Sequence, residues 1–127
     1  MKKHNLNLIN KKYSERVLEN NIELFSETEW TWVSIYQVLS EQFIEKHSNK
    51  LDLFYVSAFQ KLSEKFIEKH FDKVNWDNIS KFQNLSEWFI KKHINKINID
   101  FLILNENISQ KLKKKIKKEI NLLKEII

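Results

Sequence analysis

Large apolar residues return along this chain every 23 residues, in four columns. Trp30, Leu53, Trp76 and Ile99 fill the first, and Val33, Val56, Ile79 and Leu102 the second. Leu39, Leu62, Leu85 and Ile108 fill the third, and Phe43, Phe66, Phe89 and Leu112 the fourth. The polar residues between them read as helix punctuation. Asp52, Asn75 and Asn98 precede apolar runs and suit N-caps, because their side chains accept the orphan amide protons of a first turn. Leu51, Val74 and Ile97 stand just before them and pair with Val56, Ile79 and Leu102 as hydrophobic staples. Ser40, Ser63 and Ser86 predict the start of a second helix. Glu41, Glu64 and Glu87 then fall at its N-terminus and the Lys-His pairs at its C-terminus, each on the side the helix dipole favours. Asn49, Asp72 and Asn95 follow each His, where a left-handed residue commonly ends a helix.

Each unit thus predicts a short helix, a break at the Ser, and a second short helix. A single straight helix of about 18 residues would run roughly 27 Å. The four or five residues left over reach at most about 17 Å and could not bring the chain back to start a parallel copy. An up-and-down bundle with one helix per repeat would instead turn successive copies over. The expected fold is all-α: a short helical-repeat, α-solenoid-like domain of paired short helices with period 23. The expected organisation is one domain over 1–127, with an N-terminal cap at 1–28, repeats at 29–47, 48–70 and 71–93, and a degenerate repeat plus basic capping helix at 94–127. In the N-terminal cap, Tyr13, Val17 and Leu18 of YSERVLENN resemble a degenerate second helix, and Ser26 to Glu29 form a capping box. At the other end Ile108, Leu112, Ile116, Ile120, Leu123 and Ile127 make one apolar stripe.

Composition sharpens this picture. Gly, Pro and Cys are all absent. Hairpin turns, phosphate-cradling loops and barrel corners lose the residue that supplies positive φ, and thiol chemistry, disulfides and cysteine metal sites are excluded. The basic start MKKHNLNLINKK lacks the apolar core of a secretory signal, and no apolar run approaches the roughly 18 residues of a membrane span. A cytoplasmic protein is expected.

The string KVNWDNISKFQNLSEWFIKKH and its neighbours resemble the W-x-x-I-S-x-x-Q-x-L-S-E-x-F-I helical repeats of large DNA viruses, bacteriophages and AT-rich bacteria. The resemblance covers roughly residues 29 to 110. It implies a scaffold fold. About activity it implies little; small Lys- and Asn-rich phage proteins of this size include inhibitors of host defence, anti-CRISPR proteins among them, and an antagonist of that kind is the expectation.

Recurrent polar residues are weighed against ordinary structural roles. His47, His70 and His93 occupy equivalent positions about a helix spacing apart, roughly 8 to 10 Å, whereas ligands of one zinc must all lie near 2 Å from it. They read as helix-terminal structural residues, and no metal or cofactor is expected. Glu41, Glu64 and Glu87 read as helix-end charge. Ser34, Ser57 and Ser80, with Gln37, Gln60 and Gln83, read as hydrogen-bonding residues between repeats.

Charge and the exceptions to the repeat carry the functional expectation. The net charge is +5, and QKLKKKIKKE near the C-terminus is a basic amphipathic helix able to grip phosphates, an acidic protein face or an anionic lipid surface. Trp88 stands in an otherwise polar column of Gln42, Lys65 and Lys111. Phe54 replaces Thr31, Asp77 and Asp100, Phe71 replaces Ser48, and Tyr55 and Trp32 share a column with Asn78. Such rings are either interface anchors or are tucked under loops. The leading expectation is a non-catalytic protein that binds a host protein or ribonucleoprotein complex through Trp88, Phe54, Tyr55, Phe71, Lys111, Lys114, Lys115 and Lys118. The alternative is a nucleic-acid-binding protein that uses the basic C-terminal helix; self-association through the exposed rings is also open.

Overall fold

The computed structural model describes residues 3–126, and side chains up to residue 122. Among the described residues the chain is all-helical, with no strand. It divides into two compact units, residues 1–74 and 75–127. The first contains α1 (Glu15–Asn21), a 3-10 turn (Ile22–Leu24), α2 (Glu27–Tyr36), α3 (Glu41–Lys46), α4 (Leu53–Phe59) and α5 (Glu64–Lys69). The second contains α6 (Trp76–Phe82), α7 (Glu87–Lys92), α8 (Ile99–Ile103) and α9 (Gln110–Ile126).

The caps form where the polar punctuation places them. Asp52, Asn75 and Asn98 accept amide protons from Phe54, Asn78 and Phe101. Ser40, Ser63 and Ser86 accept from Phe43, Phe66 and Phe89, each at 3.1 Å. Ser26 and Glu29 complete a reciprocal capping box. Within the first unit α2 packs beside α4, and within the second α6 packs beside α8. The second, third and fourth apolar columns supply the core, including Val33, Phe43, Val56, Phe66, Ile79, Phe89 and Leu102.

A chain without Gly or Pro still has to break its helices, and buried amide side chains do this. After α2 the backbone turns extended at Gln37, with φ −89° and ψ 153°. The Gln60 amide nitrogen donates to the carbonyls of Ser34 at 2.9 Å and Gln37 at 2.6 Å, while its oxygen accepts from the Leu39 amide at 2.9 Å. One side chain from the following repeat therefore satisfies backbone groups on both sides of the break, groups that would be costly to bury unpaired. Gln37 does the same for the carbonyls of Leu8 and Lys11 and the amide of Tyr13. In the second unit Asn105 donates to Ser80 and Gln83, both at 2.8 Å. Ser hydroxyls add a tie at the other end: Ser34 accepts from the Asp52 amide and Ser80 from the Asn98 amide, each at 3.0 Å.

Two sequence expectations change. No described residue has positive φ, so Asn49, Asp72 and Asn95 do not end their helices in the left-handed region. Instead the His47 carbonyl accepts from the amides of both Lys50 and Leu51 at 2.9 Å, and His70 and His93 repeat the pattern. A right-handed turn satisfies the terminal carbonyl without the steric penalty that a Cβ meets in the left-handed region. On α9, Ile116 is buried and Leu112 and Ile120 half-buried, but Lys113 is buried as well; its aliphatic stem serves as apolar surface. Ile127 and the Leu123 side chain, the last members of the expected stripe, lie outside what is described.

Candidate functional site

The recurrent ionisable residues are occupied in joining repeats. His47 Nε2 lies 2.7 Å from Glu19 Oε1, and its ring packs on Phe43 and Trp30, with centroids 4.6 and 5.7 Å away. His70 pairs with Glu45 at 3.1 Å and packs on Phe66, and His93 packs on Phe89 and Trp76. The hydrogen bond from His47 holds the Glu19 carboxyl below the usual carboxylate range, outweighing its partial desolvation, with Lys46 adding to the effect. His70 and then Lys69 do the same for Glu45. His4 bonds to Glu29; burial pushes that carboxyl up, and the Ser26 amide and His4 more than offset it. Glu41 also has a partner that helix-end charge did not foresee: its carboxylate accepts from the Ser63 amide at 2.5 Å and the Ser63 hydroxyl at 2.9 Å. Among the described residues, no group of three or more His, Asp or Glu side chains is arranged to hold a metal ion.

The predicted site residues fall on both units. In the first, Phe54 is 51% exposed and Phe71 is 53% exposed, while Tyr55 is half-buried. Phe54 and Tyr55 meet edge to face at 5.1 Å, and Tyr55 stacks on Phe59 at 6.4 Å. In the second, Trp88 is 60% exposed and Lys92 stands over its ring, 4.8 Å from the centroid. Gln42, Lys65 and Lys111, the other members of the Trp88 column, are exposed too. Lys111, Lys114, Lys115 and Lys118 are exposed on α9. Lys115 is committed to Glu87 at 2.6 Å, and Lys91 is shared between Glu87 at 3.0 Å and Glu119 at 3.2 Å. Lys115 and then Lys91 hold the Glu87 carboxyl below its ordinary range, and Glu87 and Glu119 raise the Lys91 ammonium.

One aromatic column was missed in the sequence. Tyr36, Phe59 and Phe82 each precede a buried Gln. Phe59 is 56% exposed, Phe82 is exposed as well, and Leu104, just before Asn105, continues the position. Because these rings recur with the repeat, a search for exceptions passes over them. The signal was the repeated aromatic-Gln pair, in which the two neighbouring side chains must point to opposite sides of the helix end. Beside the N-termini of α2 and α4 lies an open hollow of about 720 Å³, lined by Glu27, Thr31, Lys50 and Asp52 among others. Among the described residues, no helix is long and apolar enough to cross a membrane. Compared with protein-family models, curated proteins and solved structures, the chain matches none.

Proposed function

We propose that the protein is a non-catalytic binding protein that takes a partner protein on the aromatic face of residues 1–74, with Phe54, Tyr55 and Phe59 as anchors and Phe71 as a further contact. The observation that carries this reading is the cluster of three rings in ring-to-ring contact, two of them more than half exposed. Large rings left in water at a stable, well-capped surface are the usual source of most of an interface's binding energy. The ionisable residues that a catalytic reading would need are instead engaged across repeats, His47 with Glu19, His70 with Glu45 and Glu41 with Ser63. The resemblance of the repeat to those of phages and large viruses supports a setting in which the partner is a host defence complex, a CRISPR effector for example, and binding blocks it.

The test is quantitative capture from host lysate with the full chain and with a Phe54→Ser/Phe59→Ser variant. The expected result is one stoichiometric partner, recovered at least tenfold less by the variant, in line with the two or more kcal/mol of a hot spot. No stoichiometric partner, or equal recovery by the variant, overturns the reading.

A further inference from the structure

Charge is divided sharply between the units. Residues 1–74 carry eleven basic and eleven acidic groups, residues 75–127 eleven and six, so the whole net charge of +5 belongs to the second unit. Within it, the acidic residues facing α7 and α9 are spent locally: Glu87 takes Lys91 and Lys115, and Glu119 takes Lys91. Lys111, Lys114, Lys117 and Lys118 form no ion pair among the described residues and stand exposed. Lys111, Lys114 and Lys118 rise along α9 by about 4.5 and 6 Å, steps on the scale of successive phosphates in one strand. On the neighbouring helix, Trp88 is 60% exposed, with the Lys92 ammonium over its ring.

We infer that this α7–α9 face binds single-stranded nucleic acid. Lys111, Lys114 and Lys118 contact phosphates, and the Trp88 indole, with a cation beside it, stacks a base. An exposed ring combined with a row of cations along the neighbouring helix is the arrangement that grips single strands without reading their sequence. Lysines act here as point charges, and α9 offers no planar guanidinium for base edges. A lipid surface fits less well, because an interfacial helix must present its apolar side. Ile116 of α9 is buried and Ile120 half-buried near Lys91 and Ile94, leaving Leu122 as the exposed apolar side chain among those described. The α7–α9 face uses none of the residues of the aromatic face proposed on residues 1–74.

Fluorescence anisotropy of a labelled oligothymidine of about 20 nucleotides, longer than one typical single-strand site, tests this with the full chain. Binding is expected at about 50 mM salt, with log K falling against log salt at a slope of roughly −2 for three phosphate contacts. Lys111→Gln/Lys114→Gln/Lys118→Gln is expected to lose at least about tenfold in affinity and to flatten the slope by roughly two. Trp88→Ala should lose roughly fivefold or more at unchanged slope, and the tryptophan quenching on binding should shrink with it. Lys96→Gln, an exposed charge on the turn after α7, serves as the control and should stay within about twofold, since it removes no phosphate contact. No anisotropy change, or a triple variant that binds as wild type, overturns the inference. So does tighter binding to duplex with Trp88→Ala silent, or sedimentation with phosphatidylserine vesicles in the absence of oligonucleotide binding. Because Phe54 and Phe59 are untouched, partner capture reports separately on the reading of residues 1–74.

Discussion

Residues 1–74 and 75–127 are built alike inside and differ in what they show to water. Inside, the correspondence runs bond by bond: Gln60 and Asn105 each close a helix end of the preceding repeat, Ser34 and Ser80 each hold the next N-cap amide at 3.0 Å, and Ser63 and Ser86 each start a helix. Outside, the first unit is electrically balanced and carries clustered rings, whereas the second is basic and its exposed rings, Trp88 and Phe82, each lie under a lysine, Lys92 and Lys81. Buried polar groups allow few substitutes because each must be paired. Exposed positions carry no such pairing demand, and between the two units they differ.

If the interiors are equivalent, equivalent substitutions should cost the same in both units. Gln60→Ala and Asn105→Ala each strip partners from two carbonyls and an amide, and with about 1 to 3 kcal/mol per orphaned group each should cost at least about 3 kcal/mol in urea unfolding. Unequal losses would break the comparison. Ser63→Ala and Ser86→Ala remove one cap each and should cost about 1 kcal/mol. Acid should separate the units by donor. Glu19 and Glu45 have lowered carboxyls in the first unit, held by His47 and His70, and Glu87 is lowered in the second by lysines. A depressed folded value adds stability that is present above the ordinary carboxylate range and lost as pH falls through the lower one. Urea midpoints should therefore drop on acidification below about pH 4.5, and Glu19→Gln/Glu45→Gln should flatten that drop more than Glu87→Gln alone. Smallest of all, Phe59→Ser and Trp88→Ser should move stability by no more than about 0.5 kcal/mol, as exposed positions usually do; a larger loss would place those rings in the packing.

Much of this architecture can be read from residues alone, because caps are local. Ser40, Ser63, Ser86, Asp52, Asn75 and Asn98 each serve a helix that begins within three residues of them, so sequence spacing suffices. The Gln and Ser ladders were legible as a class, since polar residues on an apolar face need partners. What was not legible depends on how far one repeat is staggered along the next. That stagger joins Glu41 to Ser63 and Glu19 to His47, partners 22 and 28 residues apart. Asn49, Asp72 and Asn95 misled because a right-handed turn met the same hydrogen-bond demand that a left-handed residue would have met.

The amide ladder also gives the chain a direction in time. Gln37, Gln60 and Asn105 each reach back to carbonyls made earlier: Gln37 to Leu8 across 29 residues, Gln60 to Gln37 across 23 and Asn105 to Gln83 across 22. As the polypeptide leaves a ribosome, the end of each first helix stays open to water until the amide one repeat later has emerged. Closure of each helix end thus trails its emergence by about one repeat, and a nascent chain with Gln37 outside the ribosome and Gln60 still within it would hold out a half-closed helix end for chaperones or proteases to find.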